Sequence, residues 1–332
     1  MSQMKEIINP FYKKTISEPS KSRKIDKPKR GNSLKKLLDV ESIEHHIGAS
    51  VDQVLELKKG YLNKKFLLRS AGSHYVLKIY RDNLSFVSPK LSSEGRAQAE
   101  YQALQICQAN KLRAPRPVGL FGKAVLMTHI YGKDLTDLPL SKGFISLIVS
   151  WLIKFHSIEL SSDLLNIGVV NAPLLGASRH LRKYISNNPS YSLAREVEEL
   201  LIDASHSFSF PNSMVLLCGD PTIDNWIIKE KQIYGLDFEF FSPGNSIFEI
   251  GLLLASILDY SKFTEAAYEL SEYALRQYLM YNSSISLMDI RLGILCGLIL
   301  IATNVPNPER CHRIFNYTRK TLMWIKNIRG IA

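Results

Sequence analysis

The sequence predicts an α+β protein of two lobes, a β-rich front part with one main helix and a helix-rich back part. Short segments rich in aromatic and β-branched residues occur up to Ile130 and are typical of strands. From Ile247 to the C terminus, apolar residues recur every three or four positions, as in helices that bury one face. The chain of 332 residues is 45% hydrophobic and 22% charged. This ordinary composition excludes a wholly disordered, collagen-like or coiled-coil protein.

The front part begins with a short predicted helix, LLDVESIEHHIG, which Gly48 ends. The pattern of residues 92–110 predicts an amphipathic helix, which Pro115 and Pro117 close. The predicted strands on either side of this helix are Val54–Leu57, Lys65–Arg69, Tyr75–Tyr80 and Ala124–Ile130. These segments together predict a sheet with one helix packed against it.

The back part is mostly helical, with predicted helices at residues 141–159 and 191–206 and from Ile247 onwards. Three short strands are predicted at Met214–Leu217, Trp226–Ile228 and Ile233–Leu236. The cleft between the two lobes is the expected site of binding. We therefore predict three regions, which are a basic disordered tail at residues 1–36, an N-lobe at 37–130 and a helical C-lobe at 131–332.

Most of the net charge of +11 lies in the N-terminal tail, where residues 1–36 carry 11 Lys and Arg side chains against three acidic ones. This segment is rich in Lys, Ser and Pro and has too few apolar side chains to order itself. Two interpretations stay open, a solvated tail and a basic arm that docks on an anionic partner or a membrane surface. Because the rest of the chain is nearly neutral, sequence-specific binding of nucleic acid is not expected.

The cysteines and apolar runs predict a soluble protein of the cytoplasm. No apolar h-region of a signal peptide follows the N terminus. The longest apolar runs, residues 144–153 and 292–303, are shorter than the ~20 residues of a membrane helix. The four cysteines form no CxxC pairs, which argues against a disulfide framework or a zinc ribbon.

A few charged residues lie in predicted strands that are otherwise apolar or in the turns between predicted strands. Lys78 lies in the middle of an apolar strand, where an ammonium group needs an anionic partner, and Glu100 on the following helix can supply it. Asp220 and Asn225 form a DxxxxN loop between two strands, and Asp237 ends the next strand. A carboxylate to orient a hydroxyl, an Asn and an Asp to hold Mg²⁺, and a Lys–Glu pair to place phosphates are the groups that phosphoryl transfer requires.

With these motifs, residues 60–251 resemble the aminoglycoside phosphotransferase and choline kinase branch of the protein-kinase-like superfamily. The segment KKGYLNKKFLL resembles the nucleotide loop of that branch, which implies that Gly60 and Asn63 contact the nucleotide. The segment AVLMTHIYGKDL resembles the strand and hinge that hold adenine, which implicates Thr128 and Ile130.

The same resemblance implies a role for each of the charged residues. YVLKIY carries the phosphate-binding lysine, Lys78, and the helix that follows carries its glutamate, Glu100. CGDPTIDNWII is similar to the family's HGDxxxxN loop, which makes Asp220 the catalytic base. Asn225 and Asp237 are implied as the ligands of Mg²⁺.

The sequence departs from the family pattern at three positions near this loop. Cys218 replaces the family's histidine, Asp224 replaces the usual glycine before the asparagine, and Glu249 stands where an aspartate braces the loop. We interpret His156 as a structural core histidine. Glu239 is interpreted as a supporting residue that shares a strand face with Asp237.

Three further basic residues are interpreted as part of a solvent-exposed helix face, and these are Arg179, Arg182 and Lys183. The helix predicted at residues 308–328 is interpreted as core packing on its apolar side.

The resulting hypothesis is an ATP- and Mg²⁺-dependent kinase that phosphorylates a hydroxyl group of a small molecule, of the aminoglycoside, amino alcohol or sugar type. The alternatives are a kinase of a macromolecular acceptor, such as a lipid-linked saccharide or a protein, and a catalytically silent nucleotide-binding scaffold. The short stretch between Asp237 and Glu249 favours a small acceptor, because it leaves no room for the activation loop of a protein kinase.

Overall fold

The computed structural model divides the chain into two units, residues 1–38 and residues 39–332. The residues that it describes all lie in the second unit, and they are 40–57, 63–82, 92–161, 173–206, 214–304 and 307–328. The predicted basic tail and Gly60 lie outside the described residues. Their predicted roles therefore stay predictions.

The N-terminal part is a five-stranded antiparallel sheet with one long helix against it. A short helix, α1 (Val40–Ile47), precedes the sheet and ends at Gly48, whose φ of +75° suits a glycine. The strands lie in the order β1-β2-β3-β5-β4. Their bounds are β1 Gln53–Leu57, β2 Lys64–Ser70, β3 Ser73–Ile79, β4 Pro117–Phe121 and β5 Ala124–Thr128.

The long helix, α2 (Ser93–Ala109), starts with an N-cap in which the hydroxyl of Ser92 accepts a hydrogen bond from the backbone N–H of Gly95. Its buried face is made mostly of small and apolar residues, including Ala97 and Leu104, and it packs on β4 and β5. This packing fixes the side of the sheet on which Glu100 lies.

Two details of this part differ from the sequence prediction. The strand β4 was not predicted, because its first residue, Pro117, was taken only as the end of the preceding helix. A proline is tolerated at the first residue of an edge strand, where its missing N–H removes no ladder bond. The predicted strand at residues 124–130 ends two residues earlier, at Thr128.

The C-terminal part is mostly helical, as predicted. One of its helices, residues 173–187, carries the helix face predicted for Arg179, Arg182 and Lys183, although its bounds were not predicted. The helices are α3 Lys142–His156, α4 Pro173–Asn187, α5 Ser192–His206, α6 Ser246–Tyr260, α7 Glu265–Tyr281, α8 Leu287–Asn304 and α9 Pro308–Lys326.

Short strands in this part frame the loops that carry the predicted site. They form a three-stranded sheet, β6-β8-β9, and a two-stranded one, β7-β10. Their bounds are β6 Lys133–Asp134, β7 Val215–Leu217, β8 Trp226–Lys229, β9 Gln232–Gly235 and β10 Ser242–Gly244.

The core of the C-terminal part is centred on α6 and α8, which approach each other closely through glycines. A Cβ atom on Gly251 would lie 2.0 Å from the backbone carbon of Gly293, so no larger side chain fits between the helices. The helix α8 has the length and a mean hydropathy, 1.7, that would suit a membrane span, but 67% of it is buried inside the protein. Such burial is that of a core helix.

Candidate active site

The structure brings Lys78 and Glu100 together as a buried ion pair. Lys78 lies near the end of β3, between the buried Leu77 and Ile79, and its side chain is 2% exposed. Its Nζ atom is 2.6 Å from Oε2 of Glu100 on α2, and the hydroxyl of Tyr80 donates to the same oxygen. A pair of this kind satisfies an ammonium that would otherwise be buried without a counter-charge.

Asp237 extends this pair into the C-terminal part of the chain. Its carboxylate accepts from Lys78 through Oδ1, and its Oδ2 lies 3.2 Å from Nζ of Lys65 on β2. The backbone of Asp237 has a φ of +64°, a left-handed conformation that few residues other than glycine adopt. The chain therefore turns at this position and directs the carboxylate at the two lysines.

The charges of these residues depend on one another. Burial by itself raises the pKa of Asp237, but Lys78 and then Lys65 outweigh it and hold the pKa well below its usual range. For Lys78, burial favours the neutral amine, and Asp237 and Glu100 reverse that effect and raise the pKa. Both residues are therefore charged at neutral pH.

The loop between β7 and β8 carries Asp220, the predicted base. Gly219 precedes it with a φ of +94°, and a Cβ atom there would lie 2.4 Å from the carbonyl oxygen of Phe240. The hydroxyl of Thr222 donates to the Asp220 carboxylate over 2.9 Å, and the side-chain amide of Asn225 donates to the backbone carbonyl of Asp220, also over 2.9 Å. These hydrogen bonds therefore fix the shape of this short loop.

Burial, followed by the charges of Asp224 and Asp237, raises the pKa of Asp220 to about 7. A carboxyl group with a pKa near the working pH can exchange a proton readily, which is the property of a general base. The environment of Asp220 thus suits proton transfer.

A buried glutamate braces the same loop from behind. Oε2 of Glu249, on α6, accepts the backbone N–H of Cys218 over 3.1 Å, and its Oε1 accepts that of Gly219 over 2.6 Å. His156 on α3 lies 2.6 Å from Oε2 of Glu249, and its other ring nitrogen lies 2.6 Å from the hydroxyl of Tyr278. Although Cys218 replaces the family's histidine, the loop is held through its backbone.

A second buried ion pair joins Arg96 of α2 to Glu239, which was interpreted as a supporting residue. Arg96 Nη1 lies 2.6 Å from Oε2 of Glu239, and the side-chain amide of Asn63 donates to both carboxylate oxygens over 3.0 and 3.1 Å. The expectation that Glu239 shares a strand face with Asp237 is wrong, because β9 ends at Gly235 and both residues follow it.

Two residues of the site, Arg96 and Lys65, were missed by the sequence reasoning. Arg96 precedes Glu100 by four residues, so it lies on the same buried face of α2. A second charged residue on the buried face of this predicted helix is the signal that could have revealed it. Lys65 stood at the start of a predicted strand, where a lysine is ordinarily solvated.

The predicted hinge is formed by residues 128–130. The hydroxyl of Thr128 accepts from the backbone N–H of Arg116 over 2.8 Å, so the side chain is engaged within the protein. The backbone N–H of His129 donates to the backbone carbonyl of His74 over 3.0 Å. Among the described residues, the backbone N–H of Ile130 has no hydrogen-bond partner, which leaves it as the group of this hinge that an adenine ring could use.

Asn225 and Asp237, the predicted ligands of Mg²⁺, offer the oxygen atoms that this ion prefers. Asn225 uses its amide nitrogen within the loop, and its amide oxygen makes no hydrogen bond to the described residues. Mg²⁺ is ordinarily held by one or two side chains together with water and substrate phosphates. Two oxygen ligands therefore fit the ion, although no cluster of three or more His, Cys, Asp and Glu side chains that could hold a metal occurs in the described part of the chain.

A sequence model of the phosphotransferase enzyme family matches residues 53–279. No curated protein matches the sequence significantly.

Solved structures share the fold. A choline kinase from Cryptosporidium parvum is 14% identical, with a TM-score of 0.61 over 84% of this chain and 91% of that one. Spectinomycin phosphotransferase APH(9)-Ia, in complex with ADP and spectinomycin, is 10% identical, with a TM-score of 0.62 over 88% of this chain and 97% of that one. A thermostable mutant of aminoglycoside phosphotransferase APH(4)-Ia, with ADP and hygromycin B, is 13% identical, with a TM-score of 0.59 over 88% and 99%. These likenesses confirm the predicted two-lobed protein-kinase-like fold.

Proposed function

The chain belongs to the phosphotransferase enzyme family, and from that premise we propose that it transfers the γ-phosphoryl group of ATP to a hydroxyl group of a small molecule. The observation that carries the proposal is the position of Lys78, which is buried between Glu100 and Asp237 and so links the N-terminal sheet to the C-terminal part. Two carboxylates keep the ammonium charged and fixed in direction, which suits a group that binds phosphate oxygens.

In the proposed reaction, Asp220 is the base. Its carboxylate accepts a hydrogen bond from the acceptor hydroxyl and takes the proton as the hydroxyl oxygen attacks the γ-phosphorus. The bond from this phosphorus to the bridging oxygen breaks, and ADP leaves with the bonding electrons. Glu249 positions the base through the backbone of Cys218 and Gly219.

The remaining residues position the nucleotide. Lys78 binds phosphate oxygens, and Gly60 and Ile130 contact the rest of the nucleotide, whereas the predicted contacts Asn63 and Thr128 are engaged within the protein with Glu239 and Arg116. Asn225 and Asp237 would hold Mg²⁺, which neutralises phosphate charge when it is bound. Because such transfer depends on positioning and on charge neutralisation, these few groups are sufficient.

A small acceptor is supported by the segment that follows Asp237. Only residues 238–245 separate Asp237 from α6, and part of this segment is the strand β10, which pairs with β7 just before the Asp220 loop. No activation segment for docking a protein substrate is present in this described stretch. Aminoglycosides, amino alcohols and sugars are therefore the acceptor classes to test first.

The test is an ATP-consumption screen over these acceptors, followed by Asp220→Asn with the best one. We expect the variant to lose turnover by orders of magnitude while it keeps its affinity for nucleotide. Asp203→Asn, a change to an exposed carboxylate on α5, is the matched control and should keep turnover. Asp237→Asn should lose turnover and also bind Mg²⁺-ATP more weakly.

Equal turnover of Asp220→Asn and wild type would remove Asp220 as the base. Nucleotide binding without turnover across the whole panel would favour the silent scaffold, and turnover only with a lipid-linked saccharide or a protein would replace the small acceptor. We also propose a cytoplasmic location, which the four free, buried cysteines support.

A further inference from the structure

Lys65 is a charged residue of the cleft to which neither the sequence motifs nor the resemblance assigns a role. It lies on β2 directly opposite Lys78 on β3 in the antiparallel register. Two like charges directly opposite each other destabilise a sheet, so this pair requires an anion to offset the repulsion. Its neighbour Lys64 points to the other face of the strand and is exposed.

The anion that the two lysines share in this structure is Asp237. Lys78 contacts one oxygen of its carboxylate, and Nζ of Lys65 lies 3.2 Å from the other. The two ammonium groups are thus within reach of one small anionic ligand. Lys78 also contacts Glu100, whereas Lys65 makes no other hydrogen bond or ion pair to the described residues.

Among the described residues, these ion pairs join three cations to three anions, namely Lys65, Lys78 and Arg96 to Asp237, Glu100 and Glu239. Mg²⁺-ATP carries a net negative charge, so its binding requires a cation that can leave the carboxylate with which it is paired. Lys65 meets this demand because its side chain is 27% exposed, while those of Lys78 and Arg96 are 2% and 1% exposed.

We propose that Lys65 is a second phosphate-binding lysine, which neutralises Asp237 in the free protein and moves to a phosphate oxygen of the bound nucleotide. The inference rests on the proposed function, because it takes the nucleotide as the ligand of this cleft. It adds a residue of β2 to the phosphate site that the resemblance assigns to Lys78 alone.

The test compares the affinities of the full chain for Mg²⁺-ATP and for adenosine, which lacks phosphates, by isothermal titration calorimetry. Lys65→Met should raise the Kd for Mg²⁺-ATP about 10-fold or more, the scale of one lost charge-assisted contact. Its Kd for adenosine should not change. Lys65→Arg should restore most of the affinity, and Lys64→Met, the matched control on the opposite face, should bind like wild type.

Three results would overturn the inference. Lys65→Met that binds Mg²⁺-ATP like wild type, while Lys78→Met loses binding, would refute the role of Lys65 and leave the proposed function in place. Equal weakening for Mg²⁺-ATP and adenosine would show that Lys65 only braces the cleft. Wild-type protein that binds no nucleotide would overturn both proposals.

Discussion

Replacing Glu249 by glutamine tests whether this residue braces the Asp220 loop. The carboxylate is 3% exposed and accepts three hydrogen bonds, from the backbone N–H groups of Cys218 and Gly219 and from His156. Glutamine has the same shape but only one oxygen. If that oxygen accepts the hydrogen bonds of His156 and Cys218, the NH₂ group of the glutamine faces the N–H of Gly219. Two hydrogen-bond donors then face each other without an acceptor between them.

The expected loss of stability follows from that geometry. A hydrogen bond to a charged group contributes about 1.5–3 kcal/mol, and an unsatisfied buried donor costs a similar amount. We therefore expect Glu249→Gln to lower the free energy of unfolding by about 2–3 kcal/mol, since two of the three bonds survive in neutral form. At about 2–4 °C per kcal/mol, the melting temperature should fall by about 4–12 °C.

The assay is thermal and urea unfolding of the ligand-free protein, together with turnover once an acceptor is known. Turnover should fall as well, because Gly219 directly precedes Asp220, while the affinity for Mg²⁺-ATP should be preserved. The matched control is Glu272→Gln, which removes a half-exposed i,i+4 pair with Arg276 on α7 and should change stability by about 0.5 kcal/mol or less. The reasoning would be refuted if Glu249→Gln unfolded at the same temperature and urea concentration as Glu272→Gln.

Three further predictions concern pH, helix packing and the tail. Because the pKa of Asp220 is raised to about 7, its neutral form dominates below that pH, so kcat/KM should rise as the pH increases through 7. Asp220→Asn should give a low, flat profile, and a wild-type profile without this rise would contradict the assignment. Gly251→Ala, whose Cβ would overlap the backbone of Gly293, should lower stability by about 1–3 kcal/mol or more. Gly176→Ala on α4, where no atom lies within 4 Å, should raise it by about 0.5–1 kcal/mol, and unfolding in urea compares the two. Deletion of residues 1–36 should leave the melting temperature and nucleotide binding unchanged, and a fall of about 10 °C would show that the tail packs on the rest of the chain.

Sequence reasoning could predict those site residues whose neighbours in the sequence already indicate an interaction partner. A lysine within YVLKIY cannot be buried alone, and the next helix carries a carboxylate, Glu100, that can pair with it. The loop with Asp220 and Asn225 was recognisable because its spacing resembles a known motif. In both cases the deciding pattern lies within one element or in two that follow each other along the chain.

Lys65 and Arg96 were not predictable in the same way, because nothing beside them in the sequence demands an anion. The antiparallel register of β2 and β3 places Lys65 opposite Lys78. The contact of Arg96 with Glu239 joins residues 143 positions apart. For Asp237 the sequence prediction was wrong in a different way. It assumed the alternating side chains of a strand, and this alternation does not hold where the backbone of Asp237 becomes left-handed.

The sequence by itself determined the two lobes, most of the helices and strands, and the residue types that phosphoryl transfer needs. Periodicity and turn residues act over a few positions, so they are legible without a structure. Only the tertiary structure decided that Lys65 and Lys78 share Asp237 and that Glu249 holds the loop through its backbone. Those contacts depend on how closely separate elements pack and on which buried charges then lie within hydrogen-bonding distance, and a buried charge is stable only where packing supplies its counter-charge.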